Sequence, residues 1–140
     1  EEALDIRKSL SKNYPQVYRP DVRMTLNNIA SLYYELNDLQ KAEEVFGETL
    51  KITEDLAKAN PDVYLSDLAM TQLNVAMLYL KESTKHHMAI RFVDTAITNL
   101  LSLQFSPTVH QYIQVGLSIL DKLGVNTGEY WIQKLKNYGK

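Results

Sequence analysis

The 140-residue sequence has no cysteine, four prolines, five glycines, one tryptophan and no marked excess of either charge. Each shortage excludes something. Without cysteine there are no disulfides, no thiolate nucleophile and no cysteine-based zinc site. Few glycines and prolines leave few tight turns, which argues against an all-β chain and for helices. Fifteen Lys and Arg stand against seventeen Asp and Glu, a formal net charge of −2. That balance gives no electrostatic reason to expect nucleic acid or an anionic membrane as partner. No apolar run approaches the ~18 residues of a membrane span. The chain opens at Glu1 without a signal sequence. It reads as a piece of a longer protein, with a cytoplasmic address as the expectation. What remains is ordinary for a globular domain: 45% hydrophobic and 23% charged residues, enough for one sizeable core.

What the sequence does have is a repeat. "MTLNNIASLYYELND" from Met24 returns as "MTQLNVAMLYLKEST" from Met70, a shift of 46. Compared at that shift, 14 of the 31 pairs beginning with residues 4–34 are identical, among them Pro15/Pro61, Asp21/Asp67, Asn28/Asn74, Ala30/Ala76 and Tyr33/Tyr79. Unrelated segments of average composition match at about two. A fixed period of tens of residues marks stacked copies of one structural unit.

Each copy reads as two helices. Val22, Leu26, Ile29, Ala30 and Tyr33 follow the spacing of one buried helical face. "ELND" interrupts, with Asn37 suited to a left-handed cap and Asp38 to an N-cap. A second helix from Leu39 carries Ala42, Val45, Phe46, Leu50, Ile52 and Leu56 on two sides of its cylinder, a pattern that predicts a helix packed between neighbours. It ends at "KANPD", because the residue before Pro61 is pushed out of the helical region. The next copy turns in "KESTKHH"; a third opens after "QFSPT" and is broken by "GVNTG". The expected organisation is a single domain over 1–140, with 1–14 the second helix of a truncated unit, then units at 15–60, 61–106 and 107–140, the last degenerate. That is about seven helices.

The first complete copy places Leu26, Ile29–Ala30, Tyr33, Ala42 and Phe46 at the spacings of the tetratricopeptide signature. The second places Val75–Ala76, Tyr79, Ala89 and Val93 there, with one extra loop residue, and the third Tyr112, Val115–Gly116, Ile119, Gly128 and Ile132. The chain resembles tetratricopeptide arrays of the long-period, kinesin-light-chain type, and those of multidomain bacterial signalling proteins. It departs from the common pattern in its period, in lacking the signature Trp, and in Glu54 where Pro is usual. Twelve residues beyond a 34-residue period add about 18 Å of helix per unit at ~1.5 Å per residue. The resemblance implies an all-α, right-handed solenoid of stacked antiparallel helix pairs, acting as a protein-interaction module and not as an enzyme.

The groove-lining positions implied by the resemblance are Asn27, Asn28, Ser31, Tyr34 and Glu35 in the first copy. In the second they are Met70, Leu73, Asn74, Met77 and Lys81, and in the third Gln114. Asn28, Asn74 and Gln114 recur once per unit beside a packed stripe. Some relatives hold an extended peptide's backbone with such a ladder of amides, each offering both a donor and an acceptor. Two readings stay open for these amides: a ligand ladder, or bonds within the stack. The Met pair fits either an adaptable binding surface or core. A basic clamp for an acidic C-terminus needs several Lys or Arg on these faces; only Arg23 and Lys81 qualify, so such a clamp is not expected. His86–His87 reads as a solvated loop pair without a third metal ligand, and no cofactor is expected. The implied partner is a protein or peptide segment in a concave groove. The alternative is a structural, oligomerisation or regulatory segment without a groove ligand. Leu4, Ile6 and Leu10 at one end and Trp131, Leu135 and Tyr138 at the other suggest end-to-end self-association.

Overall fold

A computed structural model describes residues 15–138 together with Leu4, Asp5 and Lys8. The side chains of residues 15–19 and 138 are outside that description, as are Ile6 and Leu10 of the expected first helix. Leu4, Asp5 and Lys8 are helical, and Lys8 pairs with Glu48 at 2.9 Å. Six α-helices follow among the described residues, with no strand: α1 (Pro15–Glu35), α2 (Leu39–Ala59), α3 (Pro61–Leu80), α4 (His86–Leu101), α5 (Pro107–Lys122) and α6 (Thr127–Tyr138). The fold is all-α and tetratricopeptide-like.

The helix ends follow from local chemistry. After α1, Asp38 N–H donates to the Tyr33 carbonyl at 2.9 Å and Asn37 N–H to that of Tyr34 at 3.1 Å. Asn37 sits at φ 61°. These two bonds and one left-handed residue make a Schellman cap. Asp38 then accepts from Lys41 N–H to open α2. The α5 end repeats the device: Val125 N–H donates to the Leu120 carbonyl, Gly124 N–H to that of Asp121, and Gly124 lies at φ 81°. Asn126 Oδ1 then accepts from Glu129 N–H at 3.1 Å. Ser106 caps α5 by accepting from Val109 N–H at 3.1 Å, with Pro107 directly behind it in the first turn, where its missing N–H costs nothing.

The chain divides into two compact bodies, Glu1–Thr71 and Gln72–Lys140, the division falling inside α3. In the first, α1 packs along α2. The core holds Val22, Leu26 and Ala30 from α1, Ala42, Phe46, Leu56 and Ala57 from α2, and Leu68 and Ala69 from α3. Thr71 of α3 is buried there too, and two threonines of α2, Thr49 and Thr53, are fully buried. Their hydroxyls donate to the carbonyls one turn back, Val45 at 2.9 Å and Thr49 at 2.6 Å, which removes the cost of burying them. The threonines change the expected packing of α2. Its buried stripe runs Ala42, Phe46, Thr49, Thr53, Leu56, whereas Val45, Leu50 and Ile52 are only half-buried. Among the described residues, the second side foreseen for α2 is thus half-covered.

In the second body, Gln72, Leu73, Val75, Ala76, Leu78 and Tyr79 of α3 are all buried. They leave little of that stretch facing water. Ala89, Val93, Ala96, Ile97 and Leu100 of α4 and Val109, Ile113, Ile119 and Leu120 of α5 complete the core. Gly116 marks where α5 meets α4: a Cβ there would lie 3.3 Å from Ile97 Cδ1 and Val93 Cγ1. Gln72 stands where the first copy has Leu26, and its buried Oε1 accepts from Asn99 Nδ2 at 3.0 Å.

Candidate peptide-binding surface

The side of α1 opposite its core stripe is built by simple periodicity. Val22, Leu26 and Ala30 face inward, so positions 24, 28 and 32 fall on the outer face. Met24 is 54% exposed and Leu32 is 53% exposed. Asn28 lies between them, also exposed. Ser31 and Asn27 are half-buried at the margin, Tyr34 is half-buried, and Glu35 is exposed at the helix end. This face thus offers two large apolar side chains flanking an amide along two turns of helix.

The corresponding residues in the second copy are less open. Met70, Asn74 and Met77 are half-buried, and Asn74 is already engaged with a partner of its own. Leu73 is fully buried, so this expected groove residue belongs to the core. Lys81 is exposed, and so is Gln114 of α5. Arg23, one candidate for a carboxylate clamp, is directed at Asp67 with 3.7 Å between the charged groups, and its Nε is buried with no hydrogen-bond partner.

Of the histidine pair expected in a solvated loop, His87 is exposed, but both lie on α4 and His86 is engaged. His86 opens α4 and is half-buried, and its Nε2–H donates to the Leu80 carbonyl at 2.9 Å. The imidazole therefore closes the end of α3, and its Nε2 is committed to that bond. Two lysines sit over signature tyrosines: Lys41 Nζ lies 5.6 Å from the Tyr33 ring centre and Lys85 Nζ 5.3 Å from that of Tyr79. Lys41, in the first turn of α2, and Lys85, just before α4, each make a cation–π contact with the helix before it.

Sequence reasoning missed a polar cluster joining α6 to α4. Tyr130 OH donates to Asp94 Oδ1 at 2.7 Å; Lys134 Nζ donates to the same oxygen at 2.7 Å and to Thr98 Oγ1 at 2.6 Å. Burial alone raises the Asp94 carboxyl, but the hydrogen bonds from Lys134 and Tyr130 and the Lys134 charge outweigh it and hold the group below its ordinary value. Burial, with Asp94 beside it, pushes the Tyr130 phenol far above its own. The only sequence signal was spacing: Tyr130 and Lys134 share a helical face, as do Asp94 and Thr98. Beside the cluster, Val125, Asn126, Glu129, Ile132 and Gln133 line an open depression of about 620 Å³.

Residues 22–61, which span α1 from Val22, the Schellman turn and α2, match the family model described as Tetratricopeptide repeat. The match covers the signature residues of the first complete copy and supports a tetratricopeptide repeat over that segment. No curated protein and no solved structure matches it significantly. No described helix is long and apolar enough to cross a membrane.

Proposed function

We propose that this chain is a protein-interaction module of the long-period tetratricopeptide type, which binds a peptide segment of a partner and performs no chemistry. One observation carries the reading: within the matched segment, α1 turns Met24, Asn28 and Leu32 outward together at i, i+4 and i+8. Burying Met24 and Leu32 supplies affinity, at about 25 cal/mol per Å² of apolar surface before the costs of association. Asn28 supplies a donor and an acceptor that pair with a peptide unit of any sequence. Asn74 and Gln114 hold the equivalent positions of the later copies, Gln114 exposed and Asn74 half-buried.

The test is selection of peptides from a random displayed library, followed by titration against the parent and variants. Asn28→Ala is expected to weaken binding about 2- to 13-fold, the equivalent of one hydrogen bond of ~0.5–1.5 kcal/mol net. Met24→Ala with Leu32→Ala is expected to weaken it further, and circular dichroism should show intact helices throughout. Unchanged affinity in both variants would remove this face from the binding surface.

A further inference from the structure

Helix α6 is attached differently from the helices before it. Five side chains of α4 and four of α5 are buried apolar residues. None of the described side chains of α6 is buried: Trp131 and Tyr130 are half-buried, Ile132 is 58% exposed and Leu135 is 49% exposed. Ile132 falls at the signature position that Phe46 and Val93 fill in the earlier copies, and both of those are core. The bonds that hold α6 to α4 are polar and converge on one turn. Tyr130 and Lys134, at i and i+4 of α6, both reach the Asp94 carboxylate, and Lys134 also reaches Thr98, at i+4 of α4.

From this contrast we infer that α6 is a polar-latched flap, which opens from α4 and α5 without unfolding them. The inference concerns regulation of the exposed surface and stands apart from the peptide-binding face on α1. Elements with few buried apolar contacts occupy the low end of the local-stability range. A hydrogen-bonded charge pair that keeps water access contributes only modestly to stability. Asp94 Oδ1 is the acceptor both α6 donors share, with Thr98 Oγ1 a second acceptor for Lys134. Opening bares the Asp94–Thr98 turn of α4 and the half-buried Tyr130 and Trp131 of α6. The device is thus a two-position helix biased by one carboxylate.

Hydrogen exchange of the full chain, resolved by peptide, reads this directly. In the parent protein, peptides covering α6 should exchange at least about tenfold faster than those of α4 and α5, a gap of ~1.4 kcal/mol. Asp94→Ala and, separately, Lys134→Met should each speed α6 exchange about tenfold. Rates in α4 and α5 should stay within about twofold. Lys134→Met changes only α6, so it keeps the test valid if loss of Asp94 disturbs α4. The inference is overturned if α6 exchanges at a common rate with α4 and α5. It is also overturned if both variants leave α6 unchanged, or if both accelerate all three helices equally.

Discussion

Ala30 and Gly116 hold the equivalent small-residue position in two copies, and both are buried. Ala30 has no accessible surface, and even one carbon added at Gly116 would press on Val93 and Ile97. Ala30→Leu is therefore expected to overpack its contact and cost roughly 1–3 kcal/mol. A urea denaturation midpoint equal to the parent's would place Ala30 away from any close helix contact. Asp94 makes a second prediction, with a definite sign. Its folded-state carboxyl titrates below its ordinary value, so its share of stability is present above the unfolded pKa and is lost as pH falls through the lower folded value. Acid should therefore weaken the parent below about pH 4 more steeply than it weakens Asp94→Asn, where that proton uptake is gone. The difference is modest, on the order of 1 kcal/mol, because Asp94 keeps about half its side chain in water. Parallel acid-unfolding curves for the two proteins would refute it.

Among elements, the turn between α1 and α2 rests on Asn37. At φ 61° an alanine is strained by about 1–2 kcal/mol, whereas glycine adopts the angle freely. Asn37→Ala should lower the melting temperature, and Asn37→Gly should stay close to the parent; equal losses in both would mean that the side chain, and not the backbone angle, sets the turn. This turn was legible in the sequence, as were "NPD", "FSPT" and "GVNTG", because caps and breakers act within four residues of themselves. Packing of α1 was legible in part: Val22, Leu26 and Ala30 of the expected stripe are buried, while Ile29 and Tyr33 are half-buried. Environment across the copies was not. Leu32 and Leu78 are identical across the repeat, yet Leu32 is 53% exposed and Leu78 is fully buried. Identity between copies encodes a shared helix pair, but exposure depends on what lies against it. The same limit hid the Gln72–Asn99 bond and the Asp94 latch. Their partners are 27, 36 and 40 residues apart, and only the folded chain brings them within 3 Å. His86 escaped for a subtler reason: a ring that caps a preceding helix looks, in sequence, like any polar loop residue.

Across the whole molecule, exposed apolar side chains meet a weak net charge. Met24, Leu32 and Leu36 on or just past α1, Val63 on α3, Phe105 before α5, and Ile132 and Leu135 on α6 are all large and exposed. A net charge of −2 and a pI near 5.9 leave little self-repulsion to keep copies apart near neutrality, and none at the isoelectric point. Of the residues expected to drive end-to-end association, Leu4 and Trp131 are half-buried, Leu135 is exposed, and Ile6, Leu10 and the Tyr138 side chain lie outside the described residues. Sedimentation velocity should therefore show concentration-dependent self-association at hundreds of micromolar, strongest near pH 6 and weaker at pH 8, where the negative charge grows. Ile132→Glu with Leu135→Glu should reduce it, because each substitution replaces apolar surface with charge on a helix that buries none of its described side chains, at little cost to folding. If the paired variant associates as strongly as the parent, the contact lies elsewhere, and Met24→Glu with Leu32→Glu tests the α1 face in the same way. A strict monomer across the concentration range would show that the exposed side chains are too scattered to form a cohesive patch.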